Sequence, residues 1–416
     1  MKIAQISKAD SFGGGASRVA EDLHFGLTKN GYFSHHLVSW SGHGYSEKLG
    51  RLPLYGRFEG LIRKLHFYTK KLFVPEIVPY EILPISIKLE RFKYNILHFH
   101  DLSSAISPLT LKYFARKIPV VWTIHDCSAV TAGCLYPLSC NKYMTHCNKC
   151  PQFGEWPIDS KIDLSFVGHM IKKYVHKQAK FNLVAPSEWM ANFIASSGLV
   201  KREAIKVISN GCDAEVFRPL SINETATLGM PSDRLIFLLS SGDISDHRKG
   251  VRFAIEVLDK LKKLNPLLVV VGNISSEAKK VFNSFDTYFA GYISDRVEMA
   301  KYYSIADAFI FCSIADNQPL AVIESLLCGT PVFGFKTGGV TEMIINNFNG
   351  YLVEQGNIDE LSNAIENCIQ NEMMKTLSLN AVSDAQSKYS LNKMLNSYSE
   401  FYEYLVRTSI TSKWRD

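Results

Sequence analysis

FIFCSIADNQPLAVIESLLCGTPVFGFKTGGVTE, residues 309–342, is the stretch that decides the fold of this 416-residue chain. An apolar, β-rich run ends in a polar loop, and Pro319 then opens a short helix. Gly329 and Pro331 stop that helix ahead of a second apolar run, Val332 to Phe335. A helix that starts directly after a strand offers N–H groups, here those of Leu320 and Ala321, and the positive end of its dipole, here behind Pro319. That end suits a diphosphate. Asp316 in the loop and Glu324 on the helix stand eight positions apart. Glu324 is placed to take ribose hydroxyls and Asp316 to hold hydroxyls of a sugar.

The same alternation of apolar runs with helical patterns extends to both ends of the chain, which predicts a parallel α/β architecture. Lys2–Ser7, His36–Ser39, Ile96–His100, Val120–Ile124 and Asn182–Ala185 read as one series of strands. Leu235–Ser240, Leu267–Val271, Tyr288–Ala290, Ala308–Phe311 and Val332–Phe335 read as a second. Two series with a break predict two doubly wound, Rossmann-like domains, 1–205 and 206–389. Turn-rich segments at 209–213 and 216–219 mark the break, and the polar run Ser221–Asp233 reads as a linker. Residues 390–416 form a last helical segment carrying Tyr398, Phe401, Tyr402 and Leu405.

Further chemistry gathers where strands end. Arg248 and Lys249, between a strand and a helix, are placed to neutralise a pyrophosphate whose charge grows as it leaves. Gly13-Gly14-Gly15 after the first strand let backbone amides approach a ligand. No acidic residue stands at the end of a second strand, so these glycines do not fit the dinucleotide fingerprint. His125-Asp126 follows Val120–Ile124; such a histidine can donate to a hydroxyl or stabilise positive charge. His98 and His100 end the preceding strand and read as structural.

Asp316-x7-Glu324, the following Gly338-Gly339-Val340-Thr341-Glu342 and Lys249 together resemble glycosyltransferase family 4, the retaining GT-B transferases of bacterial polysaccharide, O-antigen and colanic-acid synthesis. The likeness covers most of the chain and is strongest over 183–354; the family usually has Glu where this chain has Asp316. It implies two domains facing across a cleft, with the C-terminal helix crossing back to the N-terminal domain. The C-terminal domain would hold a UDP- or GDP-sugar: Gly291 and Tyr292 near the base, Glu324 on ribose, Arg248 and Lys249 on phosphates. Gly14 and Gly15 would close over the donor, and Arg18 would take a structural or acceptor-side role. Asp316, His125 and Lys249 would carry catalysis, moving a hexose-type sugar to a saccharide hydroxyl with retention. No catalytic metal is implied, since there is no Asp-x-Asp motif. A sugar-nucleotide epimerase of the same fold, or an inactive sugar-nucleotide-binding protein, is the alternative.

Charge is uneven. Residues 1–205 hold 26 Lys and Arg against 15 Asp and Glu, whereas the remainder holds 20 against 25. A basic N-terminal half without a nucleic-acid-binding motif points to an inner-membrane surface or to an undecaprenyl-diphosphate-linked saccharide rather than to nucleic acid. RFEGLIRKLHFYTKKLF, residues 57–73, adds a basic amphipathic helix, with Phe58, Leu61, Ile62, Leu65, Tyr68 and Leu72 at helical spacing. It serves a membrane surface or packs on a core with solvated lysines. No apolar stretch is long enough to span a bilayer, and the N-terminus lacks a signal peptide's pattern, so a cytoplasmic protein, peripheral on the membrane's inner face, is expected.

Cys134, Cys140, Cys147 and Cys150 cluster inside an insertion, 127–151, after His125-Asp126. Clustered thiols in a cytosolic chain suit a structural zinc site, though only the last pair has zinc-ribbon spacing. Free buried thiols and redox chemistry are the other readings.

Overall fold

The computed structural model describes residues 1–72, 76–103, 105–155, 157–231 and 233–412. The chain divides into two compact units, Met1–Ser209 with Met394–Asp416, and Asn210–Lys393. Each is built on one parallel sheet.

The first unit holds β1 (Lys2–Ala9), β2 (Phe33–Trp40), β3 (Arg51–Pro53), β4 (Ile96–Phe99), β5 (Val120–Thr123), β6 (Asn182–Ala185) and β7 (Ile205–Val207). Their order is β3-β2-β1-β4-β5-β6-β7, all parallel. The second holds β8 (Ile236–Asp243), β9 (Leu267–Asn273), β10 (Thr287–Gly291), β11 (Ala308–Phe311), β12 (Val332–Phe335) and β13 (Gly350–Val353). Their order, β10-β9-β8-β11-β12-β13, repeats the doubly wound topology. Strands so covered are mainly apolar on both faces. Accordingly Val120 and Val121 in the first unit, and Ala308 and Phe309 in the second, have no exposed surface. Each large side chain buried this way contributes roughly 1.5–3 kcal/mol.

Ligands of such sheets gather outside the carboxyl ends of the strands, where the winding reverses. In the first unit that point lies between β1 and β4, and in the second between β8 and β11. The glycine turn follows β1, the His247–Lys249 turn follows β8, and the Asp316 loop follows β11.

The C-terminal helix runs from Leu391 to Ser412. From Met394 onward it belongs to the first unit, where Tyr398, Tyr402 and Leu405 are buried. Gly26 admits it closely; a Cβ there would meet the Leu395 side chain at 2.5 Å. The polar run 221–233 is more than a linker. It carries a short helix, Ile222–Thr225, with Ser221 and Glu224 forming a reciprocal cap, and Ser232 lies outside the described residues.

Residues 57–73 divide differently from their pattern. The helix spans Glu59–Leu72; the Leu72 side chain and Phe73 lie outside the described residues. Ile62 packs on the core, but Phe58, Leu61 and Tyr68 stay 52, 57 and 60% exposed, joined by Phe67 at 56%. The buried inward position is polar: His66, 3.2 Å from the buried Glu81.

Candidate active site

The second unit builds its site from three chain turns locked backbone to backbone. Gly250 has φ +67°, and a Cβ there would stand 1.9 Å from the Cys312 carbonyl oxygen. Gly338, at φ +50°, would place a Cβ 1.9 Å from the Asp316 carbonyl oxygen. Only glycine allows both approaches. The Ile314 N–H donates to the Arg248 carbonyl at 2.8 Å, and Thr337 Oγ1 donates to the Ser313 carbonyl at 2.7 Å. From the other side, Gln318 Oε1 accepts from the Asn210 N–H at 2.6 Å and the Gln318 carbonyl accepts from Asn210 Nδ2 at 3.1 Å.

This frame brings Lys249 and Asp316 together across 67 residues of sequence. Lys249 Nζ lies 2.9 Å from Asp316 Oδ2, which also accepts from Ser313 Oγ at 2.6 Å. Arg248 pairs with Asp246, Nη2 to Oδ2 at 2.5 Å. Asp246 also caps the turn through the Arg248 N–H, and these bonds and cations hold its carboxyl below the usual range despite burial.

Pro319 precedes the helix Leu320–Leu327, whose first turn receives no side-chain cap. Leu320 is buried and Ala321 half-buried at that end. Glu324 is 4% exposed in the middle of the same helix. Gly291 closes β10 at φ +74° with open space where a Cβ would stand, and Tyr292 beside it is half exposed.

The first unit, taken by itself, carries the glycine turn and His125. Gly14 (φ +100°) precedes the helix Gly15–Lys29, and neither Gly14 nor Gly15 has an atom within 4 Å of a built Cβ. Gly13 differs: its Cβ would strike Ala9 and Ser17. The turn is held by Asp10, whose Oδ2 accepts from Ser41 Oγ at 2.5 Å and from the His43 N–H at 2.9 Å. His125 follows β5, its Nε2 3.3 Å from Nδ1 of His100. Burial lowers its pKa to about 4, partly offset by Asp101, so the ring is neutral at physiological pH. Asp126 caps the next turn, accepting from the Ser128 N–H at 2.8 Å.

The four clustered cysteines line one small cavity of about 20 Å³. All are free thiols. Burial pushes Cys134 up to about 12 and Cys147 up to about 11, which makes them neutral thiols rather than nucleophiles. Their donor set suits a thiophilic ion, yet among the described residues no three His, Cys, Asp or Glu side chains converge to metal-holding distance.

Sequence reasoning missed the parts that hold these groups: Ser313, Thr337, Gly338 and the Asn210–Gln318 clasp. Gly338 stood in a quoted motif without a stated role; the others carry no local signal.

Two doubly wound units, each with its loops gathered at strand ends, define a transferase-type α/β fold. Residues 13–216 match the description Glycosyltransferase Family 4, and residues 229–384 match Glycosyl transferases group 1. The chain belongs to this glycosyltransferase family. Among curated proteins it is 23% identical over 410 residues to WcaC of Escherichia coli K12, named as a colanic acid biosynthesis glycosyl transferase, covering 94% of this chain and 97% of that one. It is 24% identical over 264 residues, 61% of this chain and 69% of the other, to a Campylobacter jejuni protein. That one is named N,N'-diacetylbacillosaminyl-diphospho-undecaprenol alpha-1,3-N-acetylgalactosaminyltransferase. Sucrose-phosphate synthase of Thermosynechococcus elongatus shares the fold at TM-score 0.70 and 18% identity, covering 98% of this chain and 99% of that one. Anabaena HepE, solved with UDP-glucose, does so at 0.67 and 17%, covering 97 and 100%. The GT-B fold follows.

Proposed function

We propose that this chain is a retaining hexosyltransferase. It moves a sugar from a UDP- or GDP-sugar to a hydroxyl of a lipid-diphosphate-linked saccharide during cell-surface polysaccharide synthesis. The observation that carries the reading is the Lys249–Asp316 pair, 2.9 Å apart beside an uncapped helix start at the carboxyl end of a parallel sheet. The uncapped amides of Leu320 and Ala321, with Lys249 and Arg248, take the diphosphate as its charge develops; Glu324 takes ribose and Tyr292 lies by the base. Asp316 holds sugar hydroxyls. His125, neutral, hydrogen-bonds the transferred sugar, and Gly14 and Gly15 let backbone approach it. The departing phosphate itself takes the acceptor proton, so no protein nucleophile is required and EDTA leaves turnover unchanged. HepE complexes with UDP and with UDP-glucose support a uridine donor, and the name of the Campylobacter relative supports a diphospho-undecaprenol acceptor.

The acceptor reading is supported by a cavity of about 290 Å³ in the first unit, lined by Lys8, Arg63 and Lys70 with Trp40 and Phe67. It adjoins the helix whose Leu61, Phe67 and Tyr68 are exposed, a pairing of cations and apolar surface that suits a diphosphate headgroup at a membrane. No described helix is long and apolar enough to cross a bilayer. Cys134, Cys140, Cys147 and Cys150 take a structural zinc ion that draws their side chains together; metal analysis finding no zinc beside four titratable thiols refutes this.

Incubation with UDP-, GDP- and ADP-sugars and an undecaprenyl-diphosphate saccharide tests the main reading. One donor is expected to react, giving a product of unchanged anomeric configuration by NMR. Asp316→Ala should abolish transfer while UDP or GDP still binds. Unchanged turnover in that variant, or donor isomerised without acceptor, overturns the proposal.

A further inference from the structure

Six polar side chains lie buried on one face of the central strands of the first unit. Gln5, His98, His100 and Thr123, together with Tyr398 and Tyr402 of the C-terminal helix, are each at most 2% exposed. The register explains the gathering. Gln5 lies opposite His98 across β1 and β4, and residues two apart, His98 and His100, share a face. Six buried polar groups are expensive unless they satisfy one another, and here they do.

The hydrogen bonds run in one continuous path. Gln5 Nε2 donates to Tyr402 Oη at 3.2 Å, and Tyr402 Oη lies 2.6 Å from His98 Nδ1. His98 Nε2 lies 2.7 Å from Thr123 Oγ1, which lies 2.7 Å from Tyr398 Oη. On the other side, Gln5 Oε1 lies 2.8 Å from His100 Nε2, and His100 Nδ1 lies 3.3 Å from His125 Nε2. The rings of His100 and His125 stack at 22°.

With the Gln5 carbonyl facing His100, donor and acceptor counting fixes the protons. A carbonyl oxygen only accepts, so His100 must carry its proton on Nε2. A neutral ring has one N–H, which leaves His100 Nδ1 bare and able only to accept. His125 must then carry its proton on Nε2. The Gln5 amide, with its NH₂ end on the Tyr402 oxygen and its carbonyl on His100, sets the direction of the whole path, because the phenol and the imidazoles can each donate or accept.

We infer that Gln5 and His100 are positioning residues, which fix the tautomer and ring orientation of His125 from a buried network anchored by Tyr402 on the C-terminal helix. The inference rests on the proposed role of His125 at the transferred sugar. The ring is neutral, so the choice of nitrogen decides whether His125 meets a ligand as donor or as acceptor. Reversing the Gln5 amide would reverse every proton along the path, which is why the anchor matters. The returning helix thus does more than cover the sheet; it terminates a chain of bonds that begins at the reaction.

Transfer kinetics of the full-length protein, with whichever nucleotide sugar the donor screen selects, test this. His125→Ala sets the reference, and no loss of kcat there sinks the role of His125 itself, not the network. Given a loss, His100→Leu should lower kcat about tenfold with donor KM unchanged. His100→Asn, whose amide oxygen stands near the position of Nδ1, should recover most of that loss. In a His125→Ala background His100→Leu should cost nothing more, since a positioning residue has nothing left to position. Additive losses, or equal losses for Leu and Asn, overturn the inference. A direct readout avoids kinetics and folding alike: ¹⁵N-histidine spectra should show His125 protonated on Nε2 in the wild type. Protonation on Nδ1 in the wild type overturns the assignment outright.

Discussion

At Asp316 a single carboxylate oxygen receives both the Lys249 ammonium and the Ser313 hydroxyl. The pair therefore works as one unit, and its two members should fail differently. Lys249→Ala removes the cation that would meet developing phosphate charge, so transfer should fall by about 10² or more and UDP or GDP affinity should weaken with it. Asp316→Ala spares nucleotide affinity and removes turnover. Calorimetry beside initial rates separates the two; equal effects on nucleotide binding would contradict the division of labour. Gly15 offers a cleaner probe. A Cβ at Gly15 meets nothing within 4 Å, and its φ is not in the left-handed region. Gly15→Leu should leave Tm within a degree or two of wild type and still depress donor turnover, because only an approaching ligand would occupy that space. A wild-type rate would remove Gly15 from the site.

Elements hold these residues through backbone contacts, and their cost is readable. Gly250→Ala forces a left-handed alanine into the Cys312 carbonyl, where 1.9 Å is far inside any real contact. The left-handed strain alone is about 1–2 kcal/mol, and the overlap adds to it, so loss of soluble protein or a Tm fall of many degrees is expected. Thr337→Ala deletes one hydrogen bond to Ser313 and should cost only about 1 kcal/mol. Matching thermal melts for the two variants would show that the three turns are not locked as described. The elements differ in how plainly the sequence announced them. β6, β11 and β12 match their predicted bounds residue for residue, because each is a short, mainly apolar run that stops where the loop turns polar. β3 and β7 went unseen: each has three residues and lies at a sheet edge, too short to show a period. β13 was missed as well, an edge strand of four residues beginning in glycine. The site divides the same way. Asp316, Lys249, Gly14 and His125 stood out because their local settings are strand ends, and Glu324 through its spacing of eight positions from Asp316. The 2.9 Å meeting of Lys249 with Asp316 was not legible, since it depends on Gly250 and Gly338 bringing separate turns together. On the helix Glu59–Leu72, periodicity named the apolar side chains correctly but assigned them no face. Burial there fell to His66, because Glu81 and Tyr55 supply it with partners.

The two units differ most in histidine. Eleven of the twelve lie outside Asn210–Lys393, and His247 alone lies within it. Burial lowers His35, His125, His169 and His176 of the first unit to about 4, and holds His36, His98 and His100 well below the ordinary histidine value. An unfolded histidine titrates near 6.5, so between pH 6.5 and 4 the unfolded chain binds protons that the folded unit refuses. Stability is then complete above about pH 6.5 and falls as pH drops toward 4. Each ring removes up to about 1.4 kcal/mol per pH unit. Asp126, raised by burial, opposes this with a single group. Several rings acting together can exhaust a typical stability of roughly 5–15 kcal/mol before ordinary carboxylates begin to protonate. The first unit should therefore unfold between pH 6 and 4, while the second should not respond in that window. Tryptophan reports the event selectively, because Trp40, Trp122, Trp156, Trp189 and Trp414 all fall outside Asn210–Lys393. Trp122 stacks at 14° on His176, one of the titrating rings. The expected result is a cooperative tryptophan fluorescence transition with its midpoint inside the window, accompanied by only partial loss of far-ultraviolet circular dichroism. A flat fluorescence trace down to pH 4 would mean that the buried histidines are paired in ways that tolerate protonation. A simultaneous and complete loss of dichroism would mean that the two units unfold as one.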